Sequence, residues 1–238
     1  MKRVAALIFV WLVAFSLDTG IPAGTGSPGI PVQAASADKT TQPGNTENLL
    51  FLGDSLLYNP EHESGIFSRN GHQVLAGIGS TLPQFFGVTR KEVTVGMKGS
   101  QVTGMLKGRD FNGIAILMGT NDLAGKSALA VFDDYEKLLE ELRHFTSKPI
   151  YVMRVFPVNE HYSRRYGDYV EKNNSVRVLN GKLNQYCEKT KGVYYIDATD
   201  GFIYPNGLFQ NDYGDGLHMH PKFYAMFYDN IIEAIENV

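Results

Sequence analysis

The run Leu49-Leu50-Phe51-Leu52 is apolar at every position and stops abruptly at Gly53-Asp54-Ser55. An unbroken apolar run of strand length reads as a strand buried on both faces, the condition of strands in a parallel sheet covered by helices. Similar runs occupy residues 73–79, 113–118, 149–155 and 192–196. Helical patterns lie between them. In residues 128–145, Phe132, Tyr135, Leu138, Leu139 and Leu142 recur at three-and-four spacing, with acidic residues between. Val176, Leu179, Leu183 and Tyr186 mark another helix, and residues 221–236 close the chain as a third. Strands alternating with helices predict an α/β chain built as a three-layer α/β/α sandwich on a mainly parallel sheet, without internal repeat or second domain. In such sheets ligands bind at the carboxyl ends of strands, and Ser55 falls at one of them.

The connecting segments are less regular. Asn59-Pro60 and Ser64-Gly65 break up residues 56–70, which read as a loop plus a short helix. A short helix is expected to begin at Ser80-Thr81-Leu82-Pro83. Residues 92–97 alternate in polarity, and Lys98-Gly99-Ser100 is a turn signal, so a small hairpin running to residue 103 is expected before the third strand. Residues 157–172 read as a polar loop. The loop over residues 201–213 carries Phe202, Tyr204, Phe209 and Tyr213, which fit either stacking on sugar rings or packing.

The amino terminus has the layout of an export signal. Met1-Lys2-Arg3 is basic, residues 4–17 are almost continuously apolar, and Val32-Gln33-Ala34 supplies the small residues of a cleavage site after Ala34. The apolar run is shorter than the roughly 20 residues a membrane-spanning helix needs. The expectation is a signal peptide over residues 1–34, a polar flexible leader over 35–48 and the folded domain over 49–238. Cleavage after Ala35 or Ala37, or retention as an anchor, are the alternatives. Secretion or residence in the cell envelope follows, with no stable membrane insertion of the domain. Loss of residues 1–34 removes Lys2, Arg3 and Asp18 and moves the net charge from −3 to −4. That balance, with no basic cluster, gives no support for a nucleic-acid partner. Cys187 is the single cysteine, so no intramolecular disulfide forms, and its place in a helical pattern makes it a structural thiol.

Two further blocks accompany Gly53-Asp54-Ser55. Gly119-Thr120-Asn121-Asp122 follows the third strand, and Asp215-Gly216-Leu217-His218 precedes the closing helix. A serine hydroxyl is a weak nucleophile near neutral pH and needs a base to take its proton. An imidazole such as His218 titrates in the right range, and a carboxylate such as Asp215 can hold its tautomer. Asp212 is worse placed in sequence and reads as a loop carboxylate. In order and spacing the three blocks resemble those of the GDSL/SGNH hydrolase family, over nearly the whole chain after the leader.

The resemblance implies a flavodoxin-like five-strand order and a serine esterase or lipase-like activity with Ser55, Asp215 and His218 catalytic. It also implies an oxyanion hole made of the Ser55 backbone N–H, a second-block glycine N–H and the Asn121 amide, with no metal or organic cofactor. Gly79, directly after the second strand, is the better match for that glycine, and Gly99 is the alternative. The expected substrates are small-molecule, lipid or polysaccharide esters. An O-acetyl carbohydrate or cell-wall ester leads, a lipase or lysophospholipase on longer chains is the alternative, and a non-catalytic glycan-binding surface protein is a third reading. His218, His220 and Asp215 could also supply three zinc ligands, but that leaves the Ser55 and Asn121 blocks without a purpose. Neither the preferred acyl and alcohol groups nor the oligomeric state is legible in these motifs.

Overall fold

The computed structural model describes residues 42–86, 102–210 and 212–238. The expected signal peptide, the start of the leader, most of the expected hairpin and Gly99 lie outside the described residues. Five strands form one parallel sheet: β1 (Leu49–Gly53), β2 (Gln73–Ala76), β3 (Gly113–Leu117), β4 (Ile150–Met153) and β5 (Val193–Ile196), in the order β2-β1-β3-β4-β5. The strands are one to three residues shorter than the apolar runs suggested wherever the run ends in glycine or continues into a loop.

The helices are α1 (Ser55–Ser64), α2 (Val102–Leu106), α3 (Ala128–Phe145), α4 (Tyr169–Lys189) and α5 (Tyr224–Glu236). Alternate strand residues point to opposite faces, and this sorts the core into two halves. Leu50, Leu52, Ile114, Ile116, Ile150 and Val152 pack under α3 and α4, with Val131, Leu138, Leu142, Val176 and Leu183 completing that half. Leu49, Phe51, Ala115, Leu117, Tyr151 and Met153 pack under α1 and α5, against Leu57, Phe227, Ile231 and Ile235. Both faces of β1 are therefore fully buried, which is why its apolar run is unbroken. The chain steps one way from β1 to β2 and the other way from β3 to β5. With crossovers of one hand, that reversal puts α1 and the pair α3/α4 on opposite faces. It also opens a crevice at the carboxyl ends of β1 and β3.

Three local expectations are corrected. Residues 55–64 form a ten-residue helix straight through Pro60. Proline lacks an N–H and costs about 3 kcal/mol inside a helix. Here Asp54 caps one end, accepting from Leu56 N at 2.9 Å, and Gly65 closes the other in a left-handed conformation (φ 61°). Burial of Leu56, Leu57 and Pro60 completes the compensation. The described end of the expected hairpin, residues 102 and 103, is instead the first turn of α2. The polar loop after β4 ends at Asp168, whose carboxylate caps α4 by accepting from Val170 and Glu171 N–H, so Tyr169 and Lys172 are helical.

Burial accounts for two of the four 201–213 aromatics. Phe202 and Phe209 are fully buried and interlock with Phe156 and Phe227, while Tyr204 and Tyr213 stay exposed. Cys187 is buried on α4, and burial pushes its thiol up to about 12. Among the described residues no helix is long and apolar enough to cross a membrane.

Candidate active site

Ser55 is the first residue of α1, immediately after the carboxyl end of β1. Gly53 is required there by close approach: a Cβ would lie 2.4 Å from Leu57 Cδ1 and 3.0 Å from the Leu117 carbonyl. The α1 helix thus folds back tightly over the strand end and fixes the direction of Ser55. From the far end of the chain, the loop before α5 brings His218 Nε2 to 2.9 Å from Ser55 Oγ. His218 Nδ1 lies 2.7 Å from Asp215 Oδ2. The Asp215 Oδ1 atom accepts from the Leu217 and His218 amides at 3.0 and 2.9 Å. Burial opposes ionisation of Asp215. The His218 ring and the two amides outweigh it and hold this carboxyl far below the usual range.

These contacts assign the protons. An ionised carboxylate only accepts, so His218 Nδ1 carries the hydrogen, Nε2 is the acceptor, and the Ser55 hydroxyl donates to it. The arrangement is a hydroxyl poised to lose its proton to an oriented imidazole. His220, the other candidate zinc ligand, instead accepts from Lys222 N at 3.3 Å and packs on Tyr213 and Phe223. No three His, Cys, Asp or Glu side chains gather at one point among the described residues.

The other implied donors converge on the same strand ends. Asn121 follows β3 and opens the short turn Asp122–Ala124. Its Nδ2 donates to the Ser80 carbonyl at 3.0 Å and lies 3.4 Å from Asp54 Oδ2. Ser80 belongs to the turn after β2 that contains Gly79 (φ 71°). In that turn the Gly77 amide is used by the Gly53 carbonyl and the Ser80 amide by the Gly77 carbonyl. The Gly79 and Ser55 amides have no partner among the described residues.

Sequence reasoning missed the buried charges beneath the site. Asp54 is wholly buried, and that burial raises its carboxyl to about 7 against the pull of the Leu56 amide, His218 and Lys172. Asp122 accepts from Leu82 N at 3.0 Å, and burial raises it to about 6. Lys172, almost completely buried on α4, donates to the Thr120 carbonyl, and burial lowers its ammonium to about 8. Ser80 Oγ, Thr120 Oγ1 and Asp122 Oδ2 are buried without a hydrogen-bond partner around the same point. Asp54 and Asp122 stood inside the quoted motifs as a signal. Lys172 had none, because it lay in what read as a solvated loop.

The profile of the GDSL-like lipase/acylhydrolase family matches residues 51–226, which contain Ser55, Asn121, Asp215 and His218. The chain belongs to this family. A comparison with curated proteins finds no significant match. Among solved structures, the chain is similar to a protein of Streptococcus pneumonia provisionally described as a platelet activating factor. The TM-score is 0.59 at 18% identity, covering 79% of this chain and 84% of that one. It is also similar to the psychrotrophic esterase EstA of Pseudoalteromonas sp., with TM-score 0.51 and 15% identity over 80% of this chain and 97% of that one. The catalytic domain of peptidoglycan O-acetyltransferase A of Streptococcus pneumoniae aligns with TM-score 0.50 and 13% identity, over 80% of this chain and 93% of that one. At these identities the likeness is one of fold.

Proposed function

We propose that this GDSL family member is a secreted serine esterase that removes short acyl groups from an alcohol, with a carbohydrate or cell-wall polymer as the alcohol. The observation that carries the reading is the continuous chain Ser55 Oγ, His218, Asp215. His218 Nε2 takes the Ser55 proton as Oγ bonds to the acyl carbon. The imidazolium that forms faces a carboxylate that stays ionised. Negative charge on the former carbonyl oxygen is met by the Ser55 N–H, the Gly79 N–H and the Asn121 amide, all preset rather than recruited from water. His218 returns the proton to the leaving alcohol, giving acyl-Ser55. Water then enters by the same steps, loses its proton to His218 and releases the acid. These steps call for no metal or organic cofactor.

Space beside the nucleophile supports a short acyl group. The recess walled by Ser55, Leu56, Asn59, Pro60, His218, Met219 and Tyr224 is narrow and offers no room for a long acyl chain beside the nucleophile. The two relatives named as an esterase and an O-acetyltransferase both handle acyl groups on oxygen, which agrees with this reading. Export rests on the amino-terminal layout of residues 1–34, and amino-terminal sequencing of the released protein checks it, with Ala35 expected first.

Turnover of p-nitrophenyl esters from acetate to palmitate, beside Ser55→Ala, tests the proposal. Activity should be highest for acetate to butyrate and absent in the variant. Ser55→Ala activity equal to that of the unaltered protein would dismiss the acyl-serine route. A preference for octanoate or longer would replace the short-acyl reading by a lipase.

A further inference from the structure

A second concavity adjoins the triad and takes no part in the steps above. It is a cleft of about 530 Å³ between the turn after Asn121 and the start of α4. That volume lies within the roughly 300–1,000 Å³ of small-molecule sites. One wall is residues 123–127; the other is formed by Tyr162, Tyr166, Asp168 and Glu171, with Lys172 also lining it. Two contacts tie it to the site. The Tyr166 hydroxyl reaches Asp215 Oδ2 at 3.5 Å, and Asn121 opens the turn whose next residues wall the cleft.

The lining has a particular chemistry. Tyr166 packs on Tyr162 with ring centroids 5.2 Å apart, yet 46% of it remains exposed. An apolar ring face is thus offered to the cleft without being needed by the core. The Glu171 carboxylate has no hydrogen-bond partner among the described residues. Lys172 is only 5% exposed, and one of its three N–H groups is accounted for by the Thr120 carbonyl. Aromatic face, free carboxylate and buried ammonium together complement a ligand with an apolar C–H face and a rim of hydroxyls that donate and accept. A fatty alcohol would leave the remaining N–H groups of the buried Lys172 ammonium without acceptors, at a cost.

We propose that this cleft is the subsite for the alcohol part of the ester and that it takes a saccharide unit, stacked on Tyr166 and hydrogen-bonded to Glu171 and Lys172. The inference rests on the esterase reading and narrows it, because it moves specificity from the acyl side to the sugar side. It also relocates sugar stacking from Phe202 and Phe209, which are core, to the segment between β4 and α4.

The test compares kcat/KM on O-acetylated xylobiose and O-acetylated chitobiose with kcat/KM on p-nitrophenyl acetate, which carries no sugar. Tyr166→Ala should lower the saccharide-to-nitrophenyl ratio by about tenfold, the scale of a lost stacking contact, mainly through KM. Glu171→Gln, an isosteric change on the exposed side of the helix, should lower it severalfold. Tyr166→Phe keeps the ring, loses only the hydroxyl near Asp215, and should recover most of the ratio. Unchanged ratios in both Tyr166→Ala and Glu171→Gln would overturn the proposal. So would a protein that cleaves p-nitrophenyl acetate but neither acetylated saccharide. If no ester is cleaved at all, the esterase reading fails separately, and calorimetric titration of the protein with the same saccharides decides the cleft. Binding weakened by Tyr166→Ala upholds it, and no binding to either sugar rejects it.

Discussion

Asn121 shows how little freedom a single side chain has in this site. Its amide has two N–H groups: the Ser80 carbonyl takes one at 3.0 Å, while Asp54 Oδ2 lies at a loose 3.4 Å from the same nitrogen. The first contact fixes the plane of the amide; the second leaves an N–H that a developing oxyanion can compete for. Removing one such donor costs on the order of 100- to 1,000-fold in turnover. Asn121→Ala is therefore expected to lower kcat on p-nitrophenyl acetate by about 100-fold, with KM nearly unchanged, since the interaction strengthens only as charge develops. A kcat within twofold of the unaltered protein would take Asn121 out of the oxyanion hole. In the proposed oxyanion hole Ser55 and Gly79 would act through backbone groups, so no side-chain deletion isolates their contribution, and Asn121 is the donor through which the proposal can be measured.

At the scale of elements, the triad depends on two loops docking on each other. The segment after β4 and the segment before α5 meet at Gly216, whose carbonyl accepts from Asn159 N at 3.1 Å. Asp212 Oδ2 accepts from the Gly214 and Gly216 amides at 2.9 and 2.8 Å and sits 3.2 Å from His161 Nδ1. A Cβ on Gly216, which has φ 79°, would lie 2.2 Å from Tyr162 N and 2.7 Å from Asn159 Oδ1. Gly216→Ala should thus separate the loops and shift Asp215 and His218. A misplacement near 1 Å costs about 100-fold, so kcat should fall by that order while circular dichroism shows the sheet and helices intact. Full activity in Gly216→Ala would mean that the docking does not set the triad. This dependence also marks what could be read in advance. Strands and long helices announce themselves through periodicity, and α3 spans just the residues its stripe suggested, 128–145. The hydrogen-bonded trio of Ser55, His218 and Asp215 was legible because each member stands in a short local motif. Pro60 within α1 and the helical start at Val102 were not, because capping and burial override local propensity there. Lys172 and the role of Asp212 were invisible for a related reason: their partners lie far away in sequence, and only the folded loops bring them together.

For the molecule as a whole, the buried carboxyls around the site set an unusual pH profile of stability. Asp54 stands at about 7 and Asp122 at about 6 in the folded protein, both raised above the 3.8 of a free aspartate mainly by burial. A carboxyl raised by folding stabilises the native state fully below its unfolded pKa and loses that contribution as pH climbs through the folded value. From about pH 4 up to about 7 for Asp54 and about 6 for Asp122, the folded state holds protons that the unfolded chain has released, so within its window each group subtracts up to roughly 1.4 kcal/mol per pH unit. His72, lowered by burial, acts in the opposite sense below about pH 6.5, but it is one group against two. On the acid side, Asp215, Asp212 and Asp197 are held below the usual range by hydrogen bonds that outweigh burial, and their contribution disappears as pH falls below about 4. Lys172, lowered to about 8, enters only above that pH. Thermal stability should therefore peak near pH 4–5 and decline toward pH 7. This is the reverse of what the proposed acyl-transfer step wants, since there His218 must be neutral to accept the Ser55 proton. The Asp54 side chain also caps α1 and so sets Ser55 at its first position. Asn caps a helix about as well as Asp and cannot ionise, so Asp54→Asn separates the two effects. The variant should melt higher than the unaltered protein at pH 7–8, with the difference closing by pH 4. A difference constant across that range would show that Asp54 is not the titrating group.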